Sequence, residues 1–326
     1  MEAWEKDPFS ALQAEHDVTF VEEKLTADNA GHYADAEVVS TFIYSKLGKE
    51  TLSQFENLKL VTSRSTGVDH VDLDYCRERD ITVMNVPEYG TTTVAEHVFA
   101  LLLTISHQIP EAINRTRRGD FSQKGLQGFD LNGKMMGVIG TGSIGRQVVD
   151  IARGFNLQVC AYDLKPDHEW AQKHGVCYAD LETLLAGSDI ITLHVPANPQ
   201  SRHLLSQREF ALMKDGVVLI NTARGEVIDI QALLHALADG RVAAAGLDVL
   251  PEEPVIREEA ELIRSVFQKS HDLETLLVNH ILLKMRNVVV TPHSAFNTRE
   301  AVRRIIDTTI QNIQQYDSEE SRNVVR

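Results

Sequence analysis

Three side chains suited to acid–base and anion-binding chemistry, Arg224, Glu253 and His293, each follow an apolar run that is typical of a β-strand. An imidazole exchanges a proton close to neutral pH. A guanidinium can hold a carboxylate through paired N–H donors, and a carboxylate can orient an imidazole and stabilise its protonated form. Because ligands of doubly wound sheets bind beyond the carboxyl ends of the strands, we expect all three groups at one edge of a sheet.

A glycine-rich turn, Gly140-x-Gly142-x-x-Gly145, follows another apolar run and precedes a helix-compatible segment. Gly140 permits a tight turn, Gly142 lets a pyrophosphate approach the backbone, and Gly145 allows the helix to pack closely on the strand. The unpaired N–H groups and the positive dipole end of that helix favour phosphates. This turn predicts a dinucleotide site, and the alternative is a glycine-rich turn in an unliganded α/β domain.

An acidic residue, Asp163, ends the strand that is predicted after the glycine-rich turn. Its carboxylate can accept hydrogen bonds from an adenosine ribose and would repel a 2′-phosphate. Nearby Lys165 could partly offset that repulsion. The sequence therefore favours NAD over NADP as the cofactor.

Together, these groups fit hydride transfer between a nicotinamide and a small 2-hydroxy acid. His293 would take or return the hydroxyl proton, Arg224 would hold the substrate carboxylate, and Glu253 would orient the imidazole. Each residue taken alone is also compatible with a surface loop or turn. Their joint placement with the nucleotide turn favours catalysis.

The elements that must position these groups alternate between short apolar runs and helical patterns, which predicts parallel strands joined by crossover helices. The predicted strands are Val18–Val21, Val38–Ile43, Leu58–Ser63, Thr82–Val86, Met135–Ile139, Gln158–Tyr162, Asp189–His194, Val217–Asn221, Val242–Val249 and Asn287–Thr291. A long helix is predicted from near Thr92 to Pro110, and another over Thr298–Gln314. Between Pro254 and Met285 the pattern indicates two amphipathic helical pieces, which we interpret as an insertion.

Composition narrows the function classes. The 326 residues are 43% apolar and 24% charged, which excludes disordered and collagen-like chains and suggests about two domains. A net charge of −15 argues against a nucleic-acid-binding surface.

Signals for membranes, metals and disulfides are weak. The first twenty residues lack a signal-peptide core, and the longest apolar run, residues 98–103, is far shorter than the roughly 20 residues of a membrane span. The sequence contains neither HExxH nor a Cys/His cluster, so we expect no metal. The three cysteines are too scattered for a disulfide scaffold, so we expect reduced, mostly packed thiols in a cytoplasmic protein.

Four motifs in this order resemble the D-isomer-specific 2-hydroxyacid dehydrogenases: the Gly140–Gly145 turn with Asp163, Asn221-Thr-Ala-Arg-Gly-Glu, Gly246-Leu-Asp-Val-Leu-Pro-Glu-Glu-Pro and Thr291-Pro-His. The resemblance runs from about residue 38 to residue 310. It implies an α/β fold with two doubly wound parallel-sheet domains, in which a Rossmann NAD-binding domain (93–294) is inserted into a flavodoxin-like substrate domain (1–92 and 295–326). It also implies a hinge between the domains and a homodimer joined through the cofactor domain.

The resemblance also implies roles for further residues, and their pattern is similar to the D-lactate dehydrogenase branch. The implied substrate contacts are Thr66, Gly67, Tyr89 and Phe296. The implied cofactor contacts beyond the glycines and Asp163 are Ser143, Ile144, His194, Val195, Pro196, Thr222, Ala223 and Asp248. Two features depart from the family pattern: the long spacing from Glu253 to His293, and Leu47, which aligns with an active-site tyrosine of some members.

Three hypotheses about the function stay open at this point. Reduction of pyruvate to D-lactate is favoured, and reduction of glyoxylate, hydroxypyruvate or a bulkier 2-keto acid is the alternative within enzymes. Phosphoglycerate is least favoured, because no extra basic cluster accompanies the Thr66–Gly67 loop. Outside enzymes, the chain resembles NADH-sensing co-repressors that use this fold to recruit partners, and fold alone does not separate the two classes.

Overall fold

The computed structural model describes residues 3–251, 273–316 and 322–325. The chain divides into two compact units, one formed by Met1–Tyr89 with Phe296–Arg326 and the other by Gly90–Ala295. Glu253 and the first helical piece of the predicted insertion lie outside the described residues. None of the described helices is long and apolar enough to cross a membrane.

Strands and helices alternate along the described chain. The strands are β1 (Val38–Thr41), β2 (Leu60–Ser63), β3 (Thr82–Met84), β4 (Met135–Ile139), β5 (Gln158–Tyr162), β6 (Cys177–Tyr178), β7 (Ile190–Leu193), β8 (Val217–Asn221), β9 (Val242–Leu247) and β10 (Val288–Val290). The α-helices are α1 (Ala3–Lys6), α2 (Lys49–Leu52), α3 (Leu73–Glu78), α4 (Thr91–Ser106), α5 (Ile109–Arg117), α6 (Ser143–Gly154), α7 (His168–His174), α8 (Leu181–Gly187), α9 (Gln207–Leu212), α10 (Ile230–Ala238), α11 (Leu273–Leu282) and α12 (Arg299–Gln315). Short 3₁₀ helices cover Asp7–Ala14, Ala30–Tyr33 and Gly225–Val227.

The first unit is built on a parallel sheet in which the described strands follow the order β1-β2-β3. Leu60 and Met84 project from one face and pack with Ile306 and Ile313 of α12. Val61 projects from the other face into a second cluster that includes the fully buried Leu47. Leu47 is therefore a core residue of this unit.

The predicted strand Val18–Val21 is wrong, because residues 18–21 join no sheet. Val18 and Phe20 instead pack against the cluster on α12, and the Phe20 ring meets that of Phe9 edge-on at 6.3 Å. Val21 is 42% exposed. The alternating apolar pattern thus reflects an extended segment that packs on a helix.

The second unit contains a parallel sheet whose described strands follow the order β10-β9-β8-β7-β4-β5-β6. The chain begins at β4 in the interior, runs outward to β6, and returns to β7 on the other side of β4, so the order reverses between β4 and β7. Val138 and Ile139 of β4 enter separate buried clusters on opposite faces. The predicted α/β fold with a Rossmann sheet is confirmed.

The helices of this unit lie close to the positions predicted from the sequence. Helix α4 ends at Ser106, and Pro110 lies in the first turn of α5, where a missing N–H costs little. Helix α11 confirms the second of the two amphipathic pieces predicted between Pro254 and Met285. The edge strand β6 was not predicted, since a run of two residues is too short to show a period.

Candidate active site

The glycine-rich turn joins β4 to α6 and has the steric constraints expected of a phosphate-binding loop. Gly140 has φ +96°, and a Cβ there would lie 2.7 Å from the His194 carbonyl oxygen. A Cβ on Gly145 would lie 2.0 Å from the Gly140 carbonyl oxygen, whereas a Cβ on Gly142 would meet nothing within 4 Å. The N-cap residue of α6 is Gly142, which has no side chain to cap the first turn of the helix. Its first N–H groups are therefore suited to phosphate oxygens.

Asp163 lies beside this turn, and residues of the same unit hold its carboxylate through hydrogen bonds. Oδ2 accepts hydrogen bonds from the Thr141 N–H at 2.7 Å and the Thr141 hydroxyl at 3.0 Å, and Oδ1 accepts one from the Lys165 N–H at 2.9 Å. Burial opposes ionisation, but the hydrogen bonds from Lys165 and Thr141 outweigh it and lower the pKa of the Asp163 carboxyl. Asp163 is thus an anion at neutral pH, as a ribose acceptor requires.

Replacing Asp163 by alanine should weaken NADH binding and reduce the preference for NADH over NADPH. We expect the KM for NADH to rise about ten-fold or more, because charge-assisted hydrogen bonds to the ribose are lost and the charge that repels a 2′-phosphate disappears. Steady-state kinetics with both cofactors measure this. Asp150→Ala, at an exposed carboxylate paired with His174, is the control. An unchanged ratio of kcat/KM values for the two cofactors would contradict the assignment.

The ends of β8, β9 and β10 lie level with one another. Asn221 pairs with Leu247, and Leu247 pairs with Val290. The segments that carry Arg224 and His293 therefore leave the sheet at one edge, which is the edge predicted from the sequence. Pro251, after β9, is the last described residue before Glu253.

Arg224 lies in a tight turn that crosses the chain after β9. The side-chain amide of Asn221 donates to the Arg224 carbonyl at 2.9 Å, and Arg224 Nη1 donates to the Ala223 carbonyl at 2.8 Å. A Cβ on Gly225 would lie 2.3 Å from the Leu250 carbonyl carbon, so only glycine permits this crossing. The turn thus fixes the backbone of Arg224, and the hydrogen bond to the Ala223 carbonyl orients its guanidinium.

His293 occupies a left-handed backbone conformation, φ +52°, just after β10. Its N–H donates to the Asp248 carbonyl at 2.9 Å. The Asp248 side chain accepts from the Ser294 and Ala295 N–H groups at 2.9 Å each and from the Thr291 hydroxyl at 2.5 Å. Asp248 thus holds the turn that presents the imidazole.

The Asp248 carboxylate is 1% exposed and still ionised. Burial opposes its charge, but hydrogen bonds from His97, Thr291 and the backbone lower the pKa of the Asp248 carboxyl. His97 Nε2 lies 3.0 Å from Thr291 Oγ1 and 3.4 Å from Asp248 Oδ1. The sequence resemblance implies a cofactor contact for Asp248 and gives His97 no role. It does not show that both residues support the His293 turn.

The remaining predicted cofactor residues lie on the glycine-rich turn and on the segments that follow β7 and β8. The His194 N–H donates to the Ile139 carbonyl at 2.8 Å, and His194 Nε2 lies 2.9 Å from Thr192 Oγ1. Burial lowers the pKa of His194 to about 3, so its imidazole stays neutral. The buried Thr222 hydroxyl has no hydrogen-bond partner in the described part of the chain. Ser143, Ile144, Val195, Pro196 and Ala223 lie in the same segments, and their cofactor contacts stay predictions.

The predicted substrate residues belong to the first unit. The Thr66 hydroxyl donates to the Val86 carbonyl at 3.0 Å, and Ser65 Oγ donates to the Gly67 carbonyl at 2.7 Å, so the loop after β2 is tied down. The Phe296 ring lies 6.2 Å from that of Tyr89 and 5.1 Å from that of Phe42. Phe42 was missed because its position at the end of a predicted strand marks it only as apolar.

A Rossmann sheet that carries this turn, this acid and this edge defines an NAD-dependent oxidoreductase. Residues 99–295 match the family model described as D-isomer specific 2-hydroxyacid dehydrogenase, NAD binding domain. The chain belongs to the D-isomer-specific 2-hydroxyacid dehydrogenase family, and its cofactor is NAD.

Relatives align along nearly the whole chain. A 2-hydroxyacid dehydrogenase homolog of Haemophilus influenzae is 37% identical over 91% of this chain and 88% of its own length. The D-lactate dehydrogenase of Escherichia coli is 36% identical over 94% of this chain and 91% of its own length. The crystal structure of D-lactate dehydrogenase from Aquifex aeolicus, complexed with NAD and lactic acid, has a TM-score of 0.85 at 33% identity and covers 97% of this chain and 93% of that one.

Proposed function

We propose that this protein is a D-lactate dehydrogenase that reduces pyruvate to D-lactate. The observation that supports this most is the common edge at which the Arg224 and His293 segments leave the cofactor sheet. The similarity to proteins named D-lactate dehydrogenase adds to it. The ring cluster of Phe42, Tyr89 and Phe296 supports a substrate with a small apolar end, such as the methyl group of pyruvate.

In this proposal each residue has a distinct task. NADH, when bound, supplies the hydride that reduces the keto carbon. His293 donates the proton to the substrate oxygen, and Arg224 pairs with the substrate carboxylate, aided by the backbone N–H groups of Thr66 and Gly67. Glu253 orients the imidazole and stabilises its protonated form.

A panel of keto acids tests the proposal. NADH oxidation is followed with pyruvate, glyoxylate, hydroxypyruvate, oxaloacetate and phenylpyruvate, and we expect the highest kcat/KM with pyruvate. The reverse reaction should consume D-lactate and leave L-lactate untouched. A higher kcat/KM with another keto acid would replace pyruvate as substrate, and turnover of L-lactate would refute the stereochemistry.

Glyoxylate is the second candidate substrate. The glyoxylate reductase of Thermococcus litoralis is 33% identical over 86% of this chain and 80% of its own length. Glyoxylate carries a hydrogen where pyruvate carries a methyl group, so it is the smaller substrate and would also fit beside the rings of Phe42, Tyr89 and Phe296. The ratio of the two kcat/KM values in the same panel decides between them.

We also propose a homodimer joined through the cofactor unit. Helix α5 has no buried residue, and Ile109 and Ile113 on it are 42% and 43% exposed. Phe121, in the loop that follows, is 80% exposed. Large exposed apolar side chains are typical of a protein interface, and the occupant we propose for this one is a second copy of this chain.

Charging this surface should break the dimer. The double variant Ile113→Glu with Phe121→Glu should elute as a monomer, because burying unpaired carboxylates in an interface is costly. Size-exclusion chromatography with light scattering measures the mass. Val21→Glu, at an exposed valine of the other unit, should leave the mass unchanged. A monomeric wild type, or a dimeric double variant, would contradict the proposal.

We place the protein in the cytoplasm. All three cysteines, Cys76, Cys160 and Cys177, are free thiols, which is typical of a reducing compartment. The prediction that they are mostly packed needs one correction. Cys76 is buried and Cys160 half-buried, but Cys177 is exposed, because β6 lies at the edge of the sheet.

A further inference from the structure

Two of the free cysteines face each other across neighbouring strands of the cofactor sheet. Cys160 of β5 is the direct register partner of Cys177 of β6. Paired residues of adjacent parallel strands project to the same face, and the strands lie about 4.8 Å apart. That spacing falls within the Cα separations of roughly 4.4–6.8 Å that disulfides span. We propose that Cys160 and Cys177 are a reversible disulfide site and that closing the disulfide weakens NAD binding.

The two thiols differ in access, which sets the order of the reaction. Cys177 is exposed on the edge strand, whereas Cys160 is half-buried. Burial, with smaller contributions from Cys177 and Asp180, raises the pKa of the Cys160 thiol. Cys177 therefore meets a solution oxidant first, and Cys160 acts as the resolving thiol.

The chemistry is thiol–disulfide exchange with a low-molecular-weight disulfide such as oxidised glutathione. The Cys177 thiolate attacks one sulfur of that disulfide, which forms a mixed disulfide and releases one glutathione thiolate. The Cys160 thiolate then attacks Cys177 Sγ, which forms the intramolecular bond and releases the second glutathione. Two protein thiols are oxidised, and one glutathione disulfide is reduced to two thiols.

Strand β6 connects this pair to the cofactor turn. The Tyr178 hydroxyl, next to Cys177 in the chain, lies 2.7 Å from Thr141 Oγ1. Thr141 in turn donates to Asp163 Oδ2 through both its N–H and its hydroxyl. Any shift of Tyr178 therefore acts on the group that orients Asp163.

Closing the disulfide should produce such a shift. A disulfide draws the two Cβ atoms to about 3.8 Å, roughly 1 Å closer than the spacing of the strands. Among the described strands β6 pairs with β5 alone, over two residues, so the edge strand gives way more easily than the interior strand. Because β5 lies between β4 and β6, a movement of that size pushes Tyr178 toward the turn after β4 and distorts its 2.7 Å hydrogen bond with Thr141. The loss of NAD affinity rests on the proposed contact of Asp163 with the ribose.

The first test measures the thiols alone. The reduced full-length protein is incubated with oxidised glutathione, alkylated, digested and analysed by mass spectrometry. We expect a Cys160–Cys177 peptide link with Cys76 still reduced. Cys160→Ser should stop at a glutathione adduct on Cys177, and Cys177→Ser should form neither product. A wild type that keeps all its thiols, or that stops at the Cys177 adduct, would overturn the disulfide site.

The second test measures NADH affinity by fluorescence titration without any keto acid, so it does not depend on the substrate. Oxidised wild type should bind NADH about five-fold more weakly, the effect of losing one hydrogen bond, and dithiothreitol should restore the affinity. Cys177→Ser treated in the same way should show no change. Reduced Tyr178→Phe should already bind weakly and respond little to oxidation. A disulfide that forms and leaves NADH affinity unchanged would overturn the link to the cofactor.

Discussion

His293→Gln should lower kcat with the preferred keto acid by about 10²–10⁴-fold, the usual contribution of a positioned general acid. Glutamine retains hydrogen-bonding capacity and similar size, but it cannot deliver a proton to the substrate oxygen. The change should leave the dissociation constant of NADH nearly unaltered, because His293 is not among the residues assigned to the dinucleotide. Steady-state kinetics and NADH titration on the same preparation measure the two effects.

A matched control separates catalysis from folding. His235 lies exposed on α10, away from the edge formed by β8, β9 and β10, so His235→Gln should keep full activity. The left-handed backbone at His293 favours small polar residues such as asparagine, so circular dichroism and thermal unfolding of His293→Gln and His293→Asn accompany the kinetics. If either variant folds and keeps kcat within about three-fold of wild type, His293 is not the general acid.

The sequence could predict this edge because each part of it follows from a local rule. Apolar runs mark the strands, parallel strands in a doubly wound sheet end at one side, and chain direction then places Arg224 and His293 there. The glycine positions follow from close approach: the space at Gly140 and Gly145 admits no side chain. These are the features that a single stretch of chain determines.

Contacts between residues that are far apart in the chain could not be predicted from the sequence. His97 and Thr291 meet across 194 positions of the sequence, and nothing in either segment indicates the other. The same holds for Cys160 and Cys177, whose pairing needs a strand of two residues that no periodicity reveals. The wrong prediction of a strand at Val18–Val21 has the opposite cause. Its apolar side chains pack on α12, so the apolar pattern arises without a neighbouring strand.

The hydrogen bonds that hold the His293 turn show how long-range contacts position a site residue. The Asp248 carboxylate accepts hydrogen bonds from Thr291, Ser294 and Ala295, which all lie within two residues of His293 in the chain. A buried charge of this kind is tolerated because every oxygen is engaged. It holds the turn through several bonds at once, which is how a loop residue attains the fixed orientation that proton transfer requires.

The second large effect is expected at Arg224. Arg224→Lys keeps the positive charge but replaces a planar fork of donors with a single ammonium, which cannot pair with both carboxylate oxygens in the same geometry. We expect kcat/KM for the keto acid to fall about 10²–10³-fold, with a clear rise in KM and an unchanged dissociation constant for NADH. This pattern differs from that of His293→Gln, whose loss falls mainly on kcat.

The control for Arg224→Lys is the same substitution at another arginine. Arg208, on α9, is a solvent-exposed arginine whose guanidinium pairs with Glu182 and Glu209, so Arg208→Lys should leave both kinetic constants unchanged. Adding free guanidinium to a third variant, Arg224→Ala, should restore part of the lost kcat/KM if the fork of donors is the missing element. If Arg224→Lys loses NADH affinity and retains its KM for the keto acid, Arg224 serves the cofactor, and the anion site for the substrate lies elsewhere.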